Sequence, residues 1–195
     1  MNGPSEARTD ARPEAPPDAR TDARPGAPAV GGRPPRPGPG RRWITRSALE
    51  TQRLGAELAS ELRPDGLLLL SGDLGSGKTV LARGVAEALG IDPRQVLSPT
   101  FNLIREHQGS GGRLVHVDLY RLEPEEAAGI GLDEVLAAPG VKVVEWAERL
   151  APAEPRAPRV SPASRPSLAL RLRRLPEQGE DAREIVEIEP DEIRP

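Results

Sequence analysis

The sequence predicts an α/β fold: a single domain with a mostly parallel sheet, antiparallel hairpins and flanking helices. Three observations carry that expectation. Four consecutive leucines at 67–70 have strand length without alternation, the mark of a strand buried on both faces. Amphipathic helical patterns stand before and after that run, and strands alternating with helices pack as layers. Period-two alternation in "SLALRLRRL" and "EIVEIEP" predicts a closing hairpin toward the C-terminus.

The elements follow in chain order. Residues 1 to 41 read as a disordered arm. The first 40 carry ten of the 23 prolines and no aromatic residue, and they repeat "ARTDARPEAP" as "ARTDARPGAP". Such a segment buries too little apolar surface to offset the entropy of ordering. Acidic residues interrupt its arginines and the chain carries a net charge of -3, which opposes a strong phosphate-backbone surface. The ordered domain is expected over 42–195. Its first helix starts in "TRSALETQRLGAELASEL", where Ser47 and Glu50 have capping-box spacing and Leu54, Leu58 and Leu62 share one face. Arg63, Pro64, Asp65 and Gly66 end it, "GLLLLSG" is the buried strand, and residues 78–89 form a second helix stopped by Gly90 and Pro93.

"SPTFNLIREHQ" and "RLVHVDLYRL" are expected as two extended segments joined by the turn "GSGG". "EPEEAAGIGLDEVL" reads as a glycine-interrupted helix, and "VKVVEW" as a further buried strand. Residues 151–166, with five prolines, read as a linker or surface loop before closing strands within 167–190.

Composition excludes several classes. Without cysteine there is no disulfide framework and no thiolate metal site. With no apolar leader segment at the N-terminus and no apolar run near 18 residues, a soluble cytoplasmic protein without membrane association is expected. A guanine reader of the Asn-Lys-x-Asp type is ruled out, because neither Asn2 nor Asn102 precedes lysine.

Lysine occurs twice, at Lys78 and Lys142. Lys78 lies in "GDLGSGKT", Gly72 to Thr79, which satisfies G-x-x-x-x-G-K-[ST] between a predicted strand and a predicted helix. That context makes the fold P-loop NTPase-like and assigns nucleotide phosphates to Gly72, Asp73, Leu74, Gly75, Ser76, Gly77, Lys78 and Thr79. Glycines let backbone N–H groups converge on phosphate oxygens, and the helix N-terminus adds partial positive charge. Lys78 supplies a compact mobile charge and Thr79 a hydroxyl for Mg²⁺. A nucleotide-bound magnesium also needs a carboxylate at the end of a neighbouring strand. Asp118 in "LVHVDLY" and Glu145 in "VKVVEW" both end apolar runs and are the candidates, with a capping or turn role as the alternative. Thr100 is a candidate for a nucleotide-sensing segment, or a hydroxyl bonded to nearby backbone. His116 shares a strand face with Asp118 and reads as a supporting side chain. Phe101, Tyr120 and Trp146 fall inside the same segments, as core or as stacking surface.

The ordered series "GDLGSGKT", "RGVAEALG", "SPTFNL", "HVDLYRL", "GLDEVL" and "VEWAERL" resembles the bacterial TsaE (YjeE) family, small ATPases of tRNA threonylcarbamoyladenosine (t6A) biosynthesis, over residues 43–150. The resemblance implies ATP and Mg²⁺ as ligands, with Lys78 and Thr79 on nucleotide and metal. It places Asp118 at a Walker-B-like position, Glu145 as a metal-associated carboxylate, Trp146 near the nucleotide and Thr100 in a switch-like loop. It further implies a TsaD–TsaB-like protein pair as partner, tRNA reached through that complex, and a weak ATPase that supports turnover without transferring the group itself. Ala147 stands where the family usually has proline, and His107 and Gln108 where an aromatic residue is common. The other reading of the phosphate loop is a small-molecule phosphotransferase, which needs an arginine-bearing lid. "RLAPAEPRAPR" has the arginines, but its prolines deny it a helix.

Overall fold

The computed structural model describes residues 40–62, 64–100, 102–123, 126, 131–150 and 168–193. Most of the arm, the segment 151–166, Phe101 and much of the glycine-interrupted helix lie outside them. In order the elements are β1 (Arg42–Thr45), α1 (Ala48–Ala59), β2 (Leu67–Ser71), α2 (Lys78–Ala88), β3 (Ile104–Gly109), β4 (Gly112–Asp118), α3 (Leu132–Ala137), β5 (Val141–Glu145), β6 (Leu168–Arg174) and β7 (Arg183–Glu187). One seven-stranded sheet has the order β1-β7-β6-β2-β5-β4-β3. Its central strands β6, β2, β5 and β4 run parallel, while β1–β7, β6–β7 and β4–β3 are antiparallel, so the mixed sheet matches the expected architecture.

β2 sits in the middle because its side chains are apolar on both faces. Leu68 and Leu70 join Leu54, Leu58, Leu81 and Val85 of α1 and α2 in one core. Leu67 and Leu69 face the other way, with Val115, Val117, Val144 and the α3 residues Leu132 and Leu136. All four leucines are at most 5% exposed, which explains why the run lacks polar alternation.

α1 begins as its sequence signals. Ser47 is the N-cap and accepts from the Glu50 N–H at 3.1 Å, while the Glu50 carboxylate accepts from the Arg46 N–H at 2.8 Å. Thr45, two residues before that cap, ends β1, and its hydroxyl meets that of Thr51 at 2.7 Å. β1 itself was not anticipated: four residues at a sheet edge carry too little pattern to be read locally. Arg41 anchors its approach by donating to Glu61 at 2.7 and 2.9 Å and to Glu187. A second departure lies at 98–103, expected as extended. Strand pairing starts only at Ile104, because the Pro99 carbonyl is turned to accept the N–H groups of Asn102 and Leu103 and Leu103 adopts φ 60°.

α1 and α2 approach closely through glycine. A Cβ on Gly84 would lie 1.8 Å from the Gln52 carbonyl oxygen, and one on Gly55 would lie 2.2 Å from that of Leu81. Gly84→Ala therefore forces the helices apart and is expected to destabilise the protein by about 1–3 kcal/mol. A denaturation curve superimposable on the parent's would contradict the close packing.

At the β1 edge of the sheet Glu184 of β7 accepts from Arg173 of β6 and Arg42 of β1, tying three strands together. These two partners, Arg173 first, hold its carboxyl below the ordinary 4.5. The unfolded chain takes up that proton at higher pH than the fold does. The stabilisation is thus complete above pH 4.5 and fades as the pH falls below it. The stability difference between parent and Glu184→Gln, measured by urea unfolding, should shrink on acidification through that range.

Candidate functional site

The parallel order brings the C-terminal ends of β2, β4 and β5 to one rim. Asp118 and Glu145 are Cα partners at the ends of β4 and β5, and Glu145 pairs in turn with Leu70 of β2. The chain leaves β2 into the loop 72–77 and enters α2 at Lys78. Gly72 must be glycine: its φ is 125°, and a Cβ would lie 2.0 Å from the Leu172 carbonyl oxygen of β6. Gly77, the N-cap of α2, has φ 103°. This curled loop opens on a pocket of about 360 Å³. Leu74 at its tip is 70% exposed.

Lys78 is 4% exposed. Its ammonium donates to the carbonyls of Gly72 and Asp73 at 2.5 and 2.9 Å and to the Ser76 hydroxyl at 3.4 Å, and lies 3.9 Å from the centre of the Trp146 ring. Burial pushes its pKa down, while Glu145, Glu148, Asp118 and Asp73 oppose that shift. Trp146 reaches this place by adopting φ 59°, a left-handed conformation that costs a non-glycine residue about 1–3 kcal/mol. Its ring also packs on Tyr120 with centroids 4.8 Å apart.

The carboxylates are tightly held. Glu145, 2% exposed, accepts from the Thr79 hydroxyl at 2.9 Å through Oε2 and contacts His116 Nε2 at 2.7 Å through Oε1. Asp118, 1% exposed, accepts from Ser98 and, at 2.7 Å, from Thr100 through Oδ2, and from the Tyr120 N–H at 2.9 Å through Oδ1.

The pocket therefore gathers Leu74, Gly75, Ser76, Gly77, Lys78, Thr79, Thr100, Asp118, Glu145 and Trp146, all singled out from sequence. Gly72 and Asp73 stand behind it and contribute carbonyls to Lys78. Among the described residues no group of three His, Cys, Asp or Glu side chains could hold a metal ion. A hydroxyl bonded to one carboxylate, with a second carboxylate lining the same pocket, instead suits a hard cation that takes its remaining ligands from phosphate and water.

Comparison with known proteins places the chain in a family. A family described as "Threonylcarbamoyl adenosine biosynthesis protein TsaE" matches residues 45–178, a span running from the end of β1 through the loop and both carboxylates to β6. The chain belongs to the TsaE family. It is 43% identical over 106 residues to the tRNA threonylcarbamoyladenosine biosynthesis protein TsaE of Bacillus subtilis, covering 54% of this chain and 66% of that protein. It is 48% identical over 101 residues to the protein of the same name from Streptomyces coelicolor, covering 50% and 67%. With 64% of the Nostoc relative also covered, the chain spans a little under two thirds of the first of these TsaE proteins. The crystal structure of Bacillus subtilis YdiB superposes with a TM-score of 0.54 at 32% identity, over 76% of this chain and 84% of that one.

Four residues at this candidate site escaped sequence reading. Ser98 shares Asp118 with Thr100. Arg183 and Asp181, from the turn into β7, form a wall of the pocket, with the Arg183 side chain 3.8 Å from where a Gly77 Cβ would be. Glu148 accepts from the Gly72 N–H at 3.4 Å. Ser98 follows an apolar stretch beside Pro99 and was open to detection; the others depend on contacts between distant segments.

Because Ser98 and Thr100 both end on Asp118, the double change Ser98→Ala, Thr100→Val should free the segment 97–103. Hydrogen exchange there is expected to quicken more than in either single variant. Unaltered exchange would mean that other contacts hold the segment.

Proposed function

We propose that the chain is a Mg²⁺-dependent, ATP-hydrolysing subunit for t6A formation on tRNA. It acts in the cytoplasm on a TsaD–TsaB-like pair to sustain turnover and meets tRNA only through that complex. The observation that carries this reading is the alignment of Thr79, Glu145 and Asp118 on one rim beside Lys78. Membership of the TsaE family and the names of the relatives support the pathway. Among the described residues no helix is long and apolar enough to cross a membrane.

In this reading the loop 72–79 and the N-terminus of α2 bind the phosphates, and Lys78 places a point charge on them. Lys78, Asp118 and Glu145 are the catalytic residues. Mg²⁺, held through Thr79 with Asp118 and Glu145, would draw off the charge that develops during phosphoryl transfer. Thr100 links the loop 98–103 to Asp118, so that the state of the site is felt in that segment. Trp146 and Tyr120 exclude water beside Lys78.

Mg·ATP hydrolysis by the purified chain should be slow alone and should rise when the TsaD–TsaB pair is added. Lys78→Ala is expected to weaken ATP binding at least tenfold by loss of its charge contacts. Glu145→Gln should retain binding and lose most hydrolysis. Unchanged ATP affinity in Lys78→Ala would refute the site, and indifference to the pair would detach the ATPase from t6A synthesis.

A further inference from the structure

We infer that His116 is a positioning residue that aims Glu145 and, through it, the Thr79 hydroxyl. The role at the nucleotide rests on the ATPase reading, whereas the positioning itself does not. His116 lies in the middle of β4, fully buried, with Val143 of β5 and Arg105 of β3 as its Cα partners. Two positions before Asp118, it stands on the same face of the strand.

Its two ring nitrogens have opposite surroundings. Nε2 meets Glu145 Oε1 at 2.7 Å, whereas Nδ1 is buried without a hydrogen-bond partner. A hydrogen on Nδ1 would have no acceptor, so the ring hydrogen belongs on Nε2, where it is donated to Glu145. An unpartnered buried nitrogen is a cost that a phenylalanine or leucine at this position would avoid. What histidine alone contributes here is the Nε2–H.

The consequence runs outward. Glu145 Oε1 is pinned by His116, so Oε2 is turned to Thr79, which donates to it at 2.9 Å. Thr79 has one hydroxyl hydrogen, and with that hydrogen committed to Glu145 its lone pairs are available to the pocket. His116 thus sets, from inside the sheet, which way the hydroxyl beside Lys78 presents its acceptors. Without the Nε2–H, Glu145 loses one of two fixed directions and Thr79 loses its orienting acceptor. Partners of this indirect kind typically change affinity or activity 10–100-fold when removed.

The test compares the full chain with His116→Gln, which keeps an N–H within reach of Glu145, and with His116→Phe and His116→Asn, which do not. The first readout needs no nucleotide. Crystal structures should show the Thr79–Glu145 hydrogen bond in the parent and His116→Gln, and Glu145 rotated away in His116→Phe. The second readout is kinetic: kcat for ATP should fall about 10–100-fold in His116→Phe with KM within about threefold, and His116→Gln should recover most of the loss. If the phenylalanine variant does not fold, His116→Asn takes its place, polar but too short to reach. An intact Thr79–Glu145 bond in the phenylalanine or asparagine variant overturns the inference, as does a glutamine variant no better than either. A parent chain that binds no ATP overturns the ATPase reading and leaves the structural comparison standing.

Discussion

A strand that is apolar on both faces must be covered on both. β2 imposes that demand at the centre of the sheet, and most of the architecture answers it. Leu68 and Leu70 require α1 and α2 on one side, while Leu67 and Leu69 require the layer containing α3 on the other. Its neighbours β5 and β6 run parallel to it, which sends their C-terminal ends to the rim where β2 also ends. The loop 72–77 thus emerges next to Glu145, one strand away from Asp118, as a result of core burial.

That placement concentrates unlike demands in a small volume. Lys78 loses hydration on burial, and Glu145, Glu148, Asp118 and Asp73 restore part of what it loses. Two of these carboxylates are in turn satisfied: Thr79 and His116 on Glu145, Ser98, Thr100 and the Tyr120 N–H on Asp118. Lys78 can stay buried at the pocket because its ammonium keeps the Gly72 and Asp73 carbonyls, the Ser76 hydroxyl and the Trp146 ring around it. The left-handed backbone of Trp146 fits this picture, since its strain is offset by a ring placed between Lys78 and Tyr120.

Local patterns were the legible part. The leucine run, the Ser47 cap, the phosphate loop and the hairpin joining β3 to β4 each declare themselves within one short stretch of chain, and so does the position of Asp118 and Glu145 at strand ends. Readings failed where the structure depends on register between distant segments. β1 is too short to show a period, Pro99 redirects a stretch whose composition suggests a strand, and nothing in "GEDAREIV" announces that Arg183 packs over Gly77. His116 was visible as a neighbour of Asp118, but its bond is to Glu145 on the next strand, and cross-strand pairing is not written in either segment alone.

The strand order also bears on how the molecule is made. β2 is among the early described elements to leave the ribosome, yet its partners β5 and β6 come later, and β1 waits for β7, the last of the described strands. Through most of synthesis, then, four leucines have no sheet to enter, and the phosphate loop has no rim to sit on. Such non-local pairing is slow to form and leaves apolar surface open to aggregation, so shielding during translation matters more here than for a fold whose neighbours in space are neighbours in sequence.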